Sequence, residues 1–272
     1  MPQEFEPDLV YDVGAHKGED SEFYLKLGYR VVAVEANPDL AQRLQERFRE
    51  EIAQGRMVVV NKAIADKPGE ITFYINREVT DWSTADPAWA ERNRALGAES
   101  DAISVEAVPF AVILREHGCP CYLKIDIEGA DMQCVAGLGD IEQTPRYVSI
   151  ESNKVSWSGL RKEFDALCQL GYDRFQVVDQ KAHRSGRYLS RDGREFDHQF
   201  QMGASGPFGE DLAGPWLTKK QAMRRYRWIF LCYRLIGDNT LLERVLPRIP
   251  LARRLMRLVS WYDTHAARSS AA

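Results

Sequence analysis

The sequence predicts an α/β protein: a doubly wound, mostly parallel sheet with helices on both faces, carrying a basic helical extension at its C-terminal end. Three observations lead there. Short apolar runs alternate with charged, helix-like stretches over the first 180 residues. A glycine-rich turn follows the first apolar run, and an acid closes the second. Charge is divided unevenly along the chain, with the basic surplus at its end.

The apolar runs read as strands at residues 9–13, 30–34, 57–60, 121–126, 146–151 and 174–178. Between them lie helical stretches at 20–27, 40–52, 130–138 and 160–170, the second announced by Asn37-Pro38-Asp39, because proline suits the first helical turn. Residues 70–75 alternate in polarity after a Lys67-Pro68-Gly69 turn, as a hairpin strand does. Near-continuous apolar strands belong to parallel sheets covered on both faces, the Rossmann-like arrangement. In such sheets ligands bind beyond the carboxyl ends of the strands. The residues closing these strands are Asp12, Glu35, Asn61, Asp126 and Glu151, an edge suited to something cationic or rich in hydroxyls.

Composition narrows the class further. At 272 residues, 44% hydrophobic and 28% charged, the chain suits one large soluble domain with an appendage. The first residues lack the basic-then-apolar order of a secretory signal, and no apolar run approaches the roughly 20 residues that span a bilayer. Five cysteines, an odd number, suggest a reducing compartment, so a cytoplasmic location is expected. From Lys219 onward 12 Lys and Arg face 3 Asp and Glu, whereas the residues before it hold 24 basic and 37 acidic side chains. An acidic body speaks against a nucleic-acid substrate, which needs a basic stripe, and no nucleic-acid partner is expected. The expected organisation is a catalytic domain over 1–205 with an acceptor-side insertion at 76–102, a Gly/Pro-rich loop or lid at 206–218, and a basic helical extension at 219–272.

The turn Asp12-Val-Gly14-Ala15-His16-Lys-Gly18 has glycines that let a ligand approach the backbone, and Glu35, 23 positions after Asp12, is placed to grip ribose hydroxyls. A nicotinamide or flavin site usually shows Gly-x-Gly-x-x-Gly around a pyrophosphate. Here the pattern is Gly-x-x-x-Gly with an acid ahead of it, which disfavours pyrophosphate and suits the sulfonium and ammonium of S-adenosylmethionine.

Four blocks in order, DVGAHKG, VVAVEANP, VVNKAIADKPGEITFYI and YLKIDIEGAD followed by PRYVSIES, resemble the FkbM-type methyltransferases over roughly residues 8–180. The resemblance implies a class I methyltransferase fold and, most often, O-methylation of hydroxyls on sugars, glycolipids or other polyhydroxylated natural products. It places Asp12, Gly14 and Gly18 around the methionine part, Glu35 at the ribose, and Ala63 and Ile64 at the adenine. Ala15, Ala36, Asn37 and Asp126 beside them are further cofactor-binding candidates, and His16 reads either as a donor to the cofactor carboxylate or as a solvated loop histidine. It does not reach the tail. N- or carboxyl-methylation on the same fold, and an inactive cofactor- or partner-binding module, stay open as alternatives.

An alcohol acceptor must lose a proton, so a base is needed. Asp126 is the first candidate, Glu128 the second, and Lys124 lies on the same side of the strand as Asp126. The two acids are also a candidate oxygen-ligand pair for a divalent cation. Trp82 and Ser83 in the insertion, Glu151 at a strand end, and Trp216 in the Gly/Pro-rich loop are the acceptor-binding candidates. The run His117-Gly-Cys119-Pro-Cys121 has a metal-like composition but the wrong spacing and the wrong end of the sheet, and reads as a turn. In the tail, Leu251, Leu255, Leu258 and Tyr262 recur at helical spacing among arginines. Such a segment rests on an anionic membrane, placing the protein peripherally on its inner face, or packs on its own domain or a second copy.

Overall fold

The computed structural model describes residues 5–77, 80–127, 129–152, 156–182, 185–201, 203–236 and 262–269. Along the chain the elements begin with β1 (Phe5–Val13), α1 (Glu19–Lys26), β2 (Arg30–Val34), α2 (Pro38–Arg47), α3 (Arg49–Ala53) and β3 (Met57–Val60). There follow β4 (Ala63–Ile64), β5 (Gly69–Asn76), α4 (Pro87–Ala95), β6 (Ser100–Val108), α5 (Phe110–His117), β7 (Cys119–Ile125) and α6 (Asp131–Gly137). The chain continues through β8 (Tyr147–Glu151), α7 (Trp157–Gln169), β9 (Arg174–Asp179), β10 (Gly186–Leu189), β11 (Glu195–His198), α8 (Lys219–Ile236) and β12 (Tyr262–Ala267).

Two compact units divide the chain: Met1–Val148 with Ser185–Gln201, and Ser149–Arg184 with Met202–Ala272. In the first, four strands lie in the order β3-β2-β1-β7, every pair parallel. Val10, Tyr11 and Val13 of β1 and Val31 to Val34 of β2 are buried, as strands covered on both faces must be. The Tyr11 hydroxyl still needs a partner there and donates to the Gly118 carbonyl at 2.9 Å. Asn37 caps α2 as its sequence suggests, its side-chain oxygen accepting from the Asp39 N–H.

A second sheet in this unit has the order β4-β6-β5, with β5 and β6 antiparallel from Gly69↔Ala107 to Asn76↔Ser100. The 76–102 insertion is therefore not a free loop. Its first residue ends β5, its middle holds a short turn at Thr80–Trp82 and then α4, and its last residues open β6. One face of β6 is exposed (Ser104 and Glu106 outward, Val105 and Ala107 inward), and that dilutes its apolar signal. The β10–β11 hairpin, also unanticipated, brings Tyr188, Phe196 and His198 around Phe23 of α1 with ring centroids 4.9–6.2 Å apart.

The second unit holds strands in the order β8-β12-β9, with β12 antiparallel to β9. Within the 219–272 extension expected to be helical, α8 is a helix, whereas Tyr262–Ala267 is a strand. Tyr262, read as part of a cationic helix, opens a buried strand whose Thr264 faces Val177 in register. Leu251, Leu255 and Leu258 lie outside the described residues. The 206–218 loop is tied down at its end, where Leu217 and Phe175 exchange backbone bonds of 2.7 and 2.8 Å.

Candidate active site

The glycine turn at the end of β1 is closed by backbone bonds. The N–H groups of Gly14 and Ala15 both donate to the Val34 carbonyl, at 2.9 and 3.1 Å, and that of Gly18 donates to Ala15 at 2.7 Å. Gly14 has φ +83°, and a Cβ there would lie 1.8 Å from the Asp126 carbonyl oxygen, so no other residue fits. Asp126 in turn donates its N–H to Val13 at 2.9 Å. The turn and the loop after β7, separate motifs in the sequence, thus meet through their backbones.

Glu35 joins the same place. His16 adopts a left-handed φ of 48°, the only non-glycine residue to do so among those described, and its N–H donates to Glu35 Oε2 at 2.8 Å. The Asn37 N–H donates to Oε1 at 2.8 Å. Burial raises the Glu35 carboxyl above its usual range, and these two N–H groups oppose the shift. Ala36 leans on a small apolar cluster that includes Ala63, while Ala63 and Ile64 form the buried strand β4. The Asn61 amide donates to the Glu35 carbonyl at 2.8 Å, which fixes this strand end.

A charged cluster lies beneath the turn. Lys124 Nζ donates to Asp12 Oδ1 at 2.9 Å and to the Gly14 carbonyl at 3.2 Å, and reaches Asp20 at 3.7 Å and Asp126 at 4.0 Å. Ser21 Oγ donates to the other Asp12 oxygen at 2.6 Å. Burial alone would lower the Lys124 pKa, but Asp12, Asp20 and Asp126 outweigh it and hold the ammonium charged. Lys124 is therefore an anchor for carboxylates, not a group open to an acceptor. Asp12, fully buried, does not present a free carboxylate to a sulfonium. The anionic character of the site comes instead from three carboxylates around one ammonium. Of the three side chains, Asp126 is 26% exposed, Asp20 6% and Asp12 0%. Burial raises the Asp126 carboxyl to about 6, with Lys124 opposing and Asp131 reinforcing.

Asp131, not singled out in the sequence, organises the loop after β7. Its carboxylate accepts from the N–H groups of Ile127, at 3.0 Å, and Gly129, at 3.3 Å. An acid two residues past the Gly of an Asp-x-Glu-Gly turn was the available signal. Glu128 lies outside the described residues, and no group of three or more His, Cys, Asp or Glu is arranged to hold a metal among those described. Cys119 and Cys121 are buried in β7, and burial pushes the Cys121 thiol up to about 12.

The insertion meets the glycine turn and the loop after β7 at Thr80 and Trp89. His16 Nε2 and Thr80 Oγ1 are 2.8 Å apart, and the Trp89 indole stands against Gly129. Ser83 is committed to its own turn, accepting from the Asn76 N–H and donating to the Thr80 carbonyl, while the Trp82 carbonyl accepts from Asn93. Glu151 closes β8 in the second unit. Trp216, also in that unit, lies under the Arg174 guanidinium at 5.0 Å, and its Nε1 donates to Glu210 at 3.4 Å.

Residues 12–174 match the model of the methyltransferase FkbM domain. The chain belongs to the FkbM methyltransferase family. That match covers all of the turn, Glu35, β4 and the Lys124–Asp126 loop, and makes the protein an S-adenosylmethionine-dependent methyltransferase, whose parallel β3-β2-β1-β7 strands are Rossmann-like. Among solved structures, an FkbM methyltransferase from Methylobacillus flagellatus KT is similar at 18% identity and TM-score 0.43, covering 72% of this chain and 43% of its own. A precorrin-6y C5,15-methyltransferase from Geobacter metallireducens GS-15 aligns at 13% identity and TM-score 0.38, over 72% and 77% of the two chains. The O-methyltransferase TomG of Streptomyces achromogenes, solved with its cofactor, aligns at 11% and 0.36, over 68% and 69%. No curated protein matches the sequence.

The donor set suits that cofactor. Each Glu35 oxygen accepts one backbone N–H and keeps a lone pair for a ribose hydroxyl. The net charge around Lys124 is negative, as a sulfonium and an ammonium require. No helix among the described residues is long and apolar enough to cross a membrane.

Proposed function

We propose that this FkbM methyltransferase methylates a hydroxyl oxygen on a glycan, glycolipid or similar polyhydroxylated acceptor, with Asp126 as the base. One observation carries the reading: of the carboxylates gathered on Lys124, Asp126 alone keeps appreciable exposure, and its backbone is locked to the cofactor turn at Val13 and Gly14. S-adenosylmethionine, when bound, supplies an activated methyl group on a good leaving group.

The rest falls to the chain. Glu35, Ala36 and Asn37 would hold the ribose, Ala63 and Ile64 the adenine, and Gly14 to Gly18 the methionine part. Asp126 takes the hydroxyl proton as the oxygen attacks, a role that needs a carboxyl charged near neutral pH yet still basic. Lys124 fixes that carboxyl without neutralising it, because it is shared with Asp12 and Asp20. Water must be kept from the acceptor oxygen, and Thr80 and Trp89 bring the insertion over the turn and the β7 loop to do this.

The test is methyl transfer from S-adenosylmethionine to a panel of polyhydroxylated acceptors, with the product position read by mass spectrometry and NMR. An O-methyl product that Asp126→Asn suppresses supports the reading, and activity unchanged by chelator makes Asp126 a base and not a cation ligand. Methylation confined to amines or carboxylates would overturn it.

A further inference from the structure

We propose that the outward face of α8 is a docking surface for an anionic phospholipid bilayer. The helix runs over Lys219–Ile236 with six Lys and Arg and no acidic residue. Its two sides differ sharply. Ala222 and Tyr226 are fully buried within the second unit, where the Tyr226 hydroxyl lies 2.8 Å from Thr264 Oγ1 and Phe230 packs edge-on against Trp157 at 5.2 Å. That side is already used.

The opposite side carries Lys220, Arg224, Arg227, Trp228 and Leu231, spaced so that they share one stripe of a helix. Trp228 is 70% exposed and Leu231 46%, the large apolar side chains left open among the described ones of α8. Neither Arg224 nor Arg227 is paired with a carboxylate among the described residues, whereas Lys219, off the stripe, is bound to Asp165. An exposed indole flanked by unpaired arginines is what a bilayer interface takes up. The ring sits at headgroup depth, and the guanidinium groups lie against lipid phosphates.

Charge complementarity selects the occupant. A neutral protein surface offers nothing to two arginines that no carboxylate among the described residues compensates, and the acidic body of the chain would be repelled by an anionic bilayer unless a basic face turned toward it. Docking by α8 would set the methyltransferase against a surface that carries lipid-linked acceptors, but the docking itself does not depend on the acceptor reading. It stands or falls on binding alone.

The full chain is sedimented with vesicles of phosphatidylcholine alone and of phosphatidylcholine mixed with phosphatidylglycerol, at low and high salt. The expected result is binding to the mixed vesicles only, weakened by salt. The double substitution Arg224→Gln, Arg227→Gln should lower the partition coefficient about 30-fold, and Trp228→Ala should lower it independently. Both variants change exposed side chains, and unaltered S-adenosylhomocysteine binding by calorimetry shows that they remain folded. Absence of binding at low salt, equal binding to both vesicle types, or full binding by the variants would overturn the proposal. So would a dimer in solution that Trp228→Ala dissolves, which would assign the face to a second copy of the chain.

Discussion

Lys124 of β7 and Asp12 of β1 are register partners on adjacent parallel strands, and the ammonium of one donates to the carboxylate of the other at 2.9 Å with both side chains buried. Removing the ammonium leaves the fully buried Asp12 without its cation, and Asp20 and Asp126 without theirs. Lys124→Met should therefore destabilise the protein by about 3–5 kcal/mol, the usual cost of an uncompensated buried charge. The double variant Lys124→Met, Asp12→Asn should recover a large part of that loss, since the two effects share one contact. Urea denaturation of the three proteins measures it. Additive losses would mean that Ser21 and Asp20, not the pair, hold this end of the sheet.

As the proposed base, Asp126 should set the pH dependence. Burial raises its folded pKa to about 6, so the carboxyl is protonated below that value and charged above it. A base must be charged to act, so kcat should rise with pH through about 6 and level off beyond. Asp126→Asn should cost about 10²–10⁴-fold in kcat and remove the limb, while S-adenosylhomocysteine affinity stays near normal. A limb that survives the substitution belongs to another group.

Glu35 should separate binding from chemistry. Its two oxygens are held by the His16 and Asn37 N–H groups, so Glu35→Gln keeps the shape but sets an amide NH₂ against one of those donors and lowers the charge at the proposed ribose site. Cofactor affinity should fall about 10- to 100-fold, in line with the loss of charge-assisted hydrogen bonds. Calorimetry reads it directly. Intact affinity with a lowered kcat would move Glu35 out of the cofactor site.

These residues were not equally legible in the sequence. β1, β2 and β7 are covered on both faces and read as apolar runs, and β3, at the sheet edge with Val58 exposed, reads as one because its residues are all apolar. Gly14 and Glu35 stand out because a tight turn and a strand end restrict what can occupy them. The partner of Asp12 was hidden, because Lys124 is 112 residues away and only the register of β1 on β7 brings them together. That is why Asp12 read as a ligand for a cation from outside when its cation comes from within. β6 was missed because one of its faces meets water. β12 was missed for the opposite reason: it is wholly buried yet reads Tyr-Asp-Thr-His, with Asp263 and Thr264 answered by Gln180 and Tyr226 from elsewhere in the second unit.

Thr264 is the clearest of these. Its hydroxyl lies between Ser152 Oγ and Tyr226 Oη, the latter at 2.8 Å, and Ser152 Oγ donates onward to Glu163 at 2.9 Å. Beside it Asp263 accepts from Gln180 at 2.9 Å. The strand therefore ties β8, α7 and α8 of the second unit through hydrogen bonds that no water can replace without opening it. Thr264→Val keeps the shape and the β-branching but leaves the Ser152 and Tyr226 hydroxyls short of a partner, at about 1–3 kcal/mol. Deleting the chain from Tyr262 onward removes the whole antiparallel pairing with β9 as well, and should abolish the cooperative unfolding of this unit. Thermal melts followed by near-ultraviolet circular dichroism test both, because Tyr226 and Trp157 report on the packing of α8. If the truncated protein melts like the full chain, β12 is an ornament on β9. If it melts earlier while Thr264→Val does not, backbone pairing rather than the buried hydroxyls holds the strand in place.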